Sequence, residues 1–345
     1  MVKRWIILIV IVVWAAGCSR PEQGRELVVM THDSFDIGEE VILAFEQEHG
    51  VKVTVLRSGD AGEVLNKAIL SKNNPLADIL YGVDNTFLSR ALREDLFEPY
   101  ESPMLQDIPP EFILDDGNSL LPVDWGDVCL NYDKAWFEEH NKTPPASLED
   151  LIEPDYEGLT VVENPATSSP GLAFLLATIS RFGVEGYQDY WRKLRENDVA
   201  VESGWEAAYY GQFSAASDGD RPIVVSYATS PAAEVYYSEG RYEAPPTGVI
   251  SAPGTCFRQI EFVGILRGTR ERKLARAFVD WMLAPTFQED IPLHMWVFPV
   301  NPEAQLPQVF LDLSQEAQEP ASMSPAEIDA HREEWIAAWT DVVLH

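Results

Sequence analysis

The chain has 345 residues, of which 46% are hydrophobic, and this is enough for two lobes around separate cores. Its formal net charge of −31 leaves no basic surface to neutralise phosphates, which excludes a nucleic-acid-binding protein. A cationic ligand fits this charge better, although acidity also keeps an exported protein soluble or adapts it to salt.

The first residues have the order of an export signal. Lys3 and Arg4 precede an apolar run, Trp5–Trp14, which is too short for a membrane span. Small residues, Ala15–Gly17, then lead directly into Cys18, an order that resembles a bacterial lipobox. We therefore predict that Cys18 is the lipidated first residue of the mature chain. A plain secretory signal with an incidental cysteine is the alternative.

An apolar stretch of strand character, Glu26–Phe35, ends in a cluster of polar and aromatic side chains. In open α/β sheets the ligand crevice lies beyond the carboxyl ends of the strands. The stretch therefore predicts a first strand that delivers His32, Asp33, Ser34 and Phe35 to a ligand cleft. A turn with a helix cap is the alternative for this cluster.

Strands and helices alternate in the next segment of the chain. The pattern predicts helices at 39–49, 59–71 and 85–93 and strands at 51–57 and 77–82. Such alternation implies parallel pairing of the strands. The third strand should therefore bring Val83, Asp84 and Asn85 to the same sheet edge as Asp33.

A Pro-rich, loop-like segment, 96–122, follows, and the first crossing between the lobes is expected at 124–126. The second lobe should contain strands from 128, at 159–162 and at 222–227, with helices at 147–152, 171–182, 186–195 and 205–213. A long apolar strand at 256–266 is suited to return the chain to the first lobe. The resulting division is a signal at 1–18, a first lobe at 26–125 and 261–345, and a second lobe at 126–260.

Two helices are expected after the return strand. One covers 271–283, and the other covers 324–343, where a Ser-Pro pair is typical of a helix start. Trp335 and Trp339 lie four residues apart on the last helix, so we predict that this helix packs on the first lobe.

Apart from Cys18, the chain has two cysteines, Cys129 and Cys256, and both fall in strand-like runs. An exported protein meets oxidising conditions, so one structural disulfide is possible. Two buried free thiols are the alternative.

The segment Thr167–Gly171 lies between a strand and a helix and includes Ser168, Ser169 and Pro170. Hydroxyls and free backbone N–H groups at a helix start bind a phosphate or a carboxylate well. A helix cap with extra hydroxyls is the alternative.

Three short polar loops carry aromatic residues. They are Ser203-Gly204-Trp205, Ser226–Pro231 with Tyr227 and Ser230, and His294-Met295-Trp296. Aromatic faces with carboxylates at their edge suit a flat cationic heteroaromatic, at about 0.5 to 2 kcal/mol per cation–π contact. Core packing is the alternative for each tryptophan taken alone.

Asp33, Asp84 and Asp124 all end strand-like runs. Three converging carboxylates would raise one another's pKa, so they are either spread apart or accompanied by a positive ligand. The sequence has no Cys/His cluster for zinc and no nucleophile with a partner base, so we predict neither a metal site nor an enzyme.

Taken together, these stretches resemble a known family. From about Glu26 to the C-terminus the chain is similar to the thiamine-binding periplasmic proteins of ABC importers, within the iron, spermidine and putrescine group of solute-binding proteins. The resemblance is carried by Asp33-Ser34-Phe35, Val83-Asp84-Asn85, Asn131-Tyr132-Asp133-Lys134, Thr167-Ser168-Ser169-Pro170-Gly171-Leu172, Gly204-Trp205, Ser226-Tyr227-Ala228-Thr229-Ser230-Pro231, Ala284-Pro285-Thr286-Phe287-Gln288, and Ile291-Pro292 through Trp296 to Pro299-Val300.

The resemblance implies an α/β, two-lobed fold of the type II periplasmic-binding-protein class, with a mixed sheet flanked by helices in each lobe and the ligand cleft between them. It implies aromatic contacts to thiamine from Trp205, Tyr227 and Trp296. Asp84 and Asp33 would hold the aminopyrimidine or the thiazolium charge, with Ser168 near the hydroxyethyl or phosphate end. The other predicted ligand-binding residues are His32, Asp124, Ser169 and Ser230.

The resemblance also implies a monomer without a cofactor that delivers thiamine or its phosphates to an ABC permease and ATPase complex. The lipid at Cys18 would anchor it in the periplasm or at the cell surface. His32 stands where family members can carry Tyr, and Ala233 replaces another aromatic. The exact ligand, which could also be a pyrimidine fragment, is therefore open.

Other functions remain as alternatives. Related proteins bind ferric ion through adjacent tyrosines, and the pairs Tyr209-Tyr210 and Tyr236-Tyr237 are of this kind, each expected to have one buried and one exposed ring. Polyamine binding is a third possibility in the same superfamily, and an envelope enzyme is the last.

Overall fold

The computed structural model describes residues 24–345, so the predicted signal and Cys18 lie outside the described residues. The strands are β1 (Arg25–Thr31), β2 (Val51–Arg57), β3 (Ile79–Asp84), β4 (Phe97–Glu98), β5 (Leu121–Asp133), β6 (Thr160–Glu163), β7 (Ala200–Glu202), β8 (Ile223–Tyr227), β9 (Thr247–Ile250), β10 (Phe257–Leu266) and β11 (Phe298–Pro299). The helices are α1 (Glu39–His49), α2 (Ala61–Leu70), α3 (Leu88–Arg93), α4 (Lys134–Glu139), α5 (Ser169–Glu196), α6 (Trp205–Gly211), α7 (Ser230–Tyr237), α8 (Arg272–Leu283), α9 (Pro285–Gln288), α10 (Ile291–His294), α11 (Gln308–Leu313) and α12 (Pro325–Val343). None of these helices has the length and apolar character needed to cross a membrane.

The strands join into one eleven-stranded sheet with the main path β2-β1-β3-β10-β5-β8-β6-β7. β1 pairs with β2 and β3 in parallel, which confirms the pairing predicted for the first three strands. β6 is likewise parallel to β7 and β8. We call β2, β1 and β3 the first sheet half and β8, β6 and β7 the second sheet half.

The two halves meet at the long strands β5 and β10, which are antiparallel to each other. β10 pairs with β3 on its other side, and β5 pairs with β8, so each strand connects to one half. A disulfide between Cys129 and Cys256 links β5 to the residue that precedes β10, with 4.4 Å between the two Cα atoms. Of the two alternatives that the sequence allowed, the structure has the disulfide.

Several elements differ from the sequence prediction. The helix expected at 147–152 is only a short 3-10 helix, Asp150–Ile152. By contrast, the two helices expected at 171–182 and 186–195 are confirmed as the two parts of α5, because Gly183 between them has a non-helical backbone with φ of +74°. The Pro-rich segment contains β4, two 3-10 helices and the first residues of β5.

The last helix, α12, packs against elements of both sheet halves. Near its N-terminal end the Arg332 guanidinium lies 4.5 Å from the ring of Phe87, just before α3. Near its C-terminal end the ring of Trp339 lies 5.5 Å from that of Trp191 on α5. The prediction that this helix packs on the first lobe is therefore incomplete, because α12 also packs on α5.

Candidate functional site

A cavity of about 510 Å³ lies between the two sheet halves. Its lining residues follow the carboxyl ends of strands: His32 follows β1, Asp60 follows β2, Ser169 follows β6 and Trp205 follows β7. Tyr227 ends β8 and lines the cavity as well. The cavity therefore occupies the crevice where an open α/β sheet binds its ligand.

Three of the aromatic residues singled out in the sequence, Trp205, Tyr227 and Trp296, line this cavity together. Trp205 donates from its indole nitrogen to the Ser226 hydroxyl at 2.9 Å, and its ring stacks on Tyr209 at 4.9 Å. These contacts fix the ring plane before any ligand binds, which lowers the entropy cost of stacking.

Trp296 has a left-handed backbone with φ of +55°, which is unusual for a bulky residue. The Thr229 hydroxyl donates to its backbone carbonyl, and its indole N–H donates to the Tyr237 hydroxyl at 3.2 Å. Such strained residues cluster at ligand sites, where the surrounding contacts hold them. In this protein the contacts with Thr229 and Tyr237 hold the indole of Trp296 at the cavity wall.

Three carboxyl groups form a row across the centre of the sheet. Glu261 on β10 is the register partner of both Asp84 on β3 and Asp124 on β5. The Tyr81 hydroxyl lies 2.5 Å from an Asp124 oxygen and 2.9 Å from a Glu261 oxygen. Two of the three predicted aspartates are thus brought together, and Glu261, which the sequence analysis missed, lies between them.

Glu261 is the member of this row that lines the cavity, and its charge is balanced by His32. Burial raises the pKa of Glu261, but the charge of His32, 3.5 Å away, and a hydrogen bond from Tyr81 lower it overall. Burial and the charge of Glu261 raise the pKa of Asp124 well above its usual value. The row therefore favours the ionised form of Glu261 at the cavity and the protonated form of its neighbour Asp124.

His32 is almost fully buried, and its Nε2 atom has no hydrogen-bond partner among the described residues. Burial lowers the pKa of this histidine, but the charges of Glu261, Asp60 and Asp33 raise it overall. Its ring fits only because position 82 is glycine: a Cβ on Gly82 would lie 2.3 Å from a ring carbon of His32.

Asp84 lies beneath the cavity and does not line it. One of its oxygens accepts from the backbone N–H of Thr86 at 2.7 Å, and the other accepts from the Gln259 amide at 2.7 Å. Burial raises its pKa to about 7. Gln259 itself lines the cavity and accepts from the Tyr227 hydroxyl at 3.1 Å, so Asp84 orients a residue that faces the cavity.

Asp60 is a second carboxyl group that the sequence analysis missed. It caps α2 by accepting from the Ala61 N–H at 2.7 Å, and it also accepts from the Trp205 N–H at 3.2 Å, across the cleft. Burial raises its pKa. The pattern that could have revealed it is Gly59-Asp60 between a strand and a helix, the same pattern used for Asp33.

The remaining predicted residues fall at different depths. Ser169 and Ser230 line the cavity, whereas Ser168 is fully buried and caps α5 through the Gly171 N–H at 3.4 Å. Asp33 is exposed and lines a smaller neighbouring cavity of about 250 Å³, where it accepts from the Gly59 N–H at 2.9 Å.

The described residues contain no group of three or more His, Cys, Asp or Glu side chains that could hold a metal ion. Of the tyrosine pairs, Tyr209 is buried and donates to Glu234, while Tyr210 is exposed. Tyr236 and Tyr237 are both exposed, so the expected division into one buried and one exposed ring is right for the first pair and wrong for the second.

Residues 74–319 match the family model of the bacterial extracellular solute-binding proteins. The chain belongs to this family. As a solute-binding protein it has full-length relatives: it is 30% identical to the thiamine-binding periplasmic protein of Escherichia coli K12, over 94% of this chain and 96% of the relative. It is 31% identical to the protein of the same name from Brucella melitensis, over 94% of each chain.

Solved structures of other solute-binding proteins have the same fold. A periplasmic thiamin binding protein superposes with a TM-score of 0.82 at 28% identity, covering 93% of this chain and 97% of that one. The ferric binding protein from Campylobacter jejuni superposes with a TM-score of 0.73 at 18% identity, covering 92% and 99%. The predicted class, a two-lobed α/β fold of type II, is confirmed.

Proposed function

We propose that this protein captures thiamine, or a thiamine phosphate, between its lobes and delivers it to an ABC permease and ATPase complex. The observation that carries the proposal is the convergence of Trp205, Tyr227 and Trp296 with the carboxyl groups of Asp60 and Glu261 in one cavity. Full-length relatives that are named thiamine-binding periplasmic proteins support the choice of ligand.

The chemistry of the lining suits a flat cation. Aromatic faces attract a positive heteroaromatic ring, and each contact contributes about 0.5 to 2 kcal/mol, with the larger value in a desolvated site. The thiazolium ring of thiamine carries a permanent positive charge, for which the carboxylate of Glu261 is the counter-charge at the cavity wall. Asp60 is placed to bind the polar edge of the second ring.

The predicted site residues take different roles in this proposal. Trp205, Tyr227, Trp296, His32, Ser169 and Ser230 contact the ligand directly. Asp84 and Asp124 act from beneath the cavity, through Gln259 and Glu261 respectively. Asp33 and Ser168 support the loops on either side of the cleft.

The lobes in this proposal are the two sheet halves, joined through β5 and β10. Asp60 of the first lobe accepts a hydrogen bond from the backbone N–H of Trp205 in the second lobe, so the two lobes are in contact across the cleft. A ligand that touches both lobes favours the closed state because its contacts are complete only there. The permease would then receive the closed, loaded form.

We further propose that the protein is a monomer, exported and anchored to the membrane through a lipid on Cys18. The residues before position 24 carry the sequence pattern for this, and the periplasmic relatives support export. Mass spectrometry of the protein purified from membranes would show a diacylglycerol adduct on an N-terminal Cys18. An unmodified N-terminus would instead favour the plain secretory signal.

Ferric-ion binding is the second candidate, since iron-binding proteins share the fold. Tyrosine ligands bind iron as tyrosinates, but burial and the charge of Glu234 raise the pKa of Tyr209 well above its usual value. Burial also raises the pKa of Tyr210. Both shifts oppose the ionised form that iron requires, so this alternative and polyamine binding rank below thiamine. An envelope enzyme ranks last, and turnover of thiamine phosphates by the pure protein would revive it.

The test is calorimetric titration of residues 19–345 with thiamine, its mono- and diphosphate, spermidine and ferric citrate. We expect saturable 1:1 binding of a thiamine compound, with quenching of tryptophan fluorescence because Trp205 and Trp296 line the cavity. Binding of iron or spermidine without any response to thiamine would move the function to another branch of the family.

A further inference from the structure

A cluster of basic side chains lies at one edge of the first sheet half. The segment 267–276 carries five basic residues and one acidic residue, in a chain with 25 basic and 56 acidic residues. It leads from β10 into α8, and its five basic residues are all exposed. We call these five residues, together with the exposed Arg25, the basic face. Its members are Arg25, Arg267, Arg270, Arg272, Lys273 and Arg276.

The basic face and the ligand cavity lie at opposite ends of strand β1. Arg25 begins β1, and its guanidinium lies 2.8 Å from the Glu271 carboxylate at the start of α8. His32, which lines the cavity, follows the other end of the strand. β1 has seven residues, so its two ends are about 20 Å apart. The basic face is therefore separate from the ligand site.

Three members of the basic face are already paired with carboxylates of the protein. The pairs are Arg25–Glu271, Arg267–Asp95 and Arg272–Glu98. The side chains of Arg270 and Lys273 make no hydrogen bond or ion pair with any residue in the described range 24–345. The Arg276 guanidinium makes no ion pair within that range either and lies 5.2 Å from the centre of the Tyr100 ring. Three exposed cations thus remain for a partner outside the chain.

The stability of the fold does not account for these cations. Arg272 and Lys273 are the first two residues of α8, and the first turn of this helix contains no acidic side chain. The helix dipole disfavours cations at that end. Ion pairs of exposed arginines add little to stability. An anionic partner explains this concentration of positive charge better than the fold does.

The basic face also lies close to the predicted site of lipidation. Cys18 precedes Arg25 by seven residues. A fully extended chain spans about 3.5 Å per residue, so the two residues are at most about 25 Å apart. A lipid on Cys18 would therefore keep the start of β1, and with it the basic face, near the membrane surface.

We propose that the basic face binds the anionic headgroups of the membrane that holds the lipid on Cys18. This inference rests on the proposed lipid anchor. The bound protein would rest with its basic face on the membrane and its cavity on the far side, because the two lie at opposite ends of β1.

The charges and the tether make this contact favourable in one orientation. Each lysine or arginine near an anionic surface strengthens binding about fivefold. A tether adds to this because it raises the effective concentration of headgroups at the basic face. The net charge of −31 repels an anionic surface, but at physiological ionic strength this repulsion is largely screened beyond about 8 Å. Contact through the basic face keeps most acidic side chains beyond that distance.

The experiment tethers residues 18–345 through the Cys18 thiol to a maleimide lipid in vesicles, so that it does not require the natural lipid. Cys18 is the one free thiol because the other two cysteines, Cys129 and Cys256, form a disulfide. One set of vesicles contains phosphatidylcholine alone, and the other also contains about 30 mol% phosphatidylglycerol. Acetylation of individual lysines at pH 7.5 is followed by mass spectrometry.

We expect Lys273 to react at least about fivefold more slowly on the anionic vesicles, because the membrane covers it there. The exposed Lys193 on α5 should react equally on both kinds of vesicle. In 500 mM salt, where the Debye length is below about 5 Å, the difference for Lys273 should disappear.

A double variant, Arg270→Gln with Arg276→Gln, tests the other cations and keeps Lys273 as the reporter. We expect the slowing of Lys273 to fall below about twofold in this variant. The matched control is Arg181→Gln with Arg192→Gln, which makes the same change in net charge at exposed positions of α5. The control should keep the slowing seen in the wild type.

The outcomes separate this inference from the proposed anchor. Equal reactivity of Lys273 on the two kinds of vesicle would overturn the inference, and so would slowing that persists in Arg270→Gln with Arg276→Gln. Either result leaves the anchor to mass spectrometry of the protein purified from membranes. An unmodified Cys18 in that measurement, together with slowed acetylation of Lys273, would refute the anchor and support lipid binding by the basic face.

Discussion

The replacement Asp84→Asn should remove the contribution of one buried carboxyl group to the pH dependence of stability. Burial raises the pKa of Asp84 from 3.8 to about 7. Because the pKa of Asp84 is higher in the folded than in the unfolded chain, its protonated form contributes to the free energy of unfolding. This contribution is fully present below pH 3.8 and is lost as the pH rises through 7. Between pH 5 and pH 7 the loss amounts to about 2 kcal/mol of unfolding free energy.

Asparagine keeps the shape of this site. Its amide oxygen can still accept from the N–H and hydroxyl of Thr86, and a rotated Gln259 amide can accept from its nitrogen. We therefore expect the variant to fold. Its free energy of unfolding should lack the decrease between pH 5 and pH 7 that we assign to Asp84. Other buried carboxyl groups with raised pKa values, such as Asp124 and Glu163, act in both proteins and cancel in the comparison.

The assay is urea unfolding of the oxidised chain, residues 19–345, at half-unit steps between pH 5 and pH 7.5. Between pH 5 and pH 7 the free energy of unfolding should fall by about 2 kcal/mol more in the wild type than in Asp84→Asn. The exposed Asp107, changed to Asn, serves as the control and should behave as the wild type. Equal pH slopes in the wild type and Asp84→Asn would refute the assignment of a raised pKa to Asp84.

Three further predictions test the binding site and the stability of the fold. Trp205→Ala should weaken thiamine binding at least about tenfold in a fluorescence titration, since it removes a stacking face; an unchanged affinity would contradict the placement of the ligand. Binding of the cation should tighten as the pH rises from 5.5 to 8, because His32 then loses a positive charge that repels the ligand. The charge of Glu261 helps to raise the pKa of His32. In His32→Gln the affinity should depend less on pH. If both proteins keep the same slope, His32 is not the group that titrates. Replacing Cys129 and Cys256 by Ser should lower the free energy of unfolding by about 2 to 4 kcal/mol, and reductant should have the same effect on the wild type alone.

The parallel pairing of the strands in the first sheet half could be predicted from the sequence because short-range patterns determine it. Alternating apolar runs define β1, β2 and β3, and the alternation with helices sets their parallel pairing. The break between the two parts of α5 could be predicted for the same reason, since Gly183 interrupts the apolar pattern and has a non-helical backbone in the structure.

The candidate site was predictable only in part, for a similar reason. Trp205, Tyr227 and Trp296 were found because each stands in a short polar loop. Glu261 lies inside a long apolar strand, so no local signal separated it from the core residues around it. Its position between Asp84 and Asp124 follows from strand order, which joins residues far apart in the sequence.

The final helix has a consequence for how far the cleft can open. α12 is fastened at both ends, through Arg93 and Asp329 to the first lobe and through Arg195 and the Val342 carbonyl to the second. α12 therefore links the two lobes, and an opening that moves α3 away from α5 must break one of these contacts. A chain that ends before Ser324 would lack this link between the lobes.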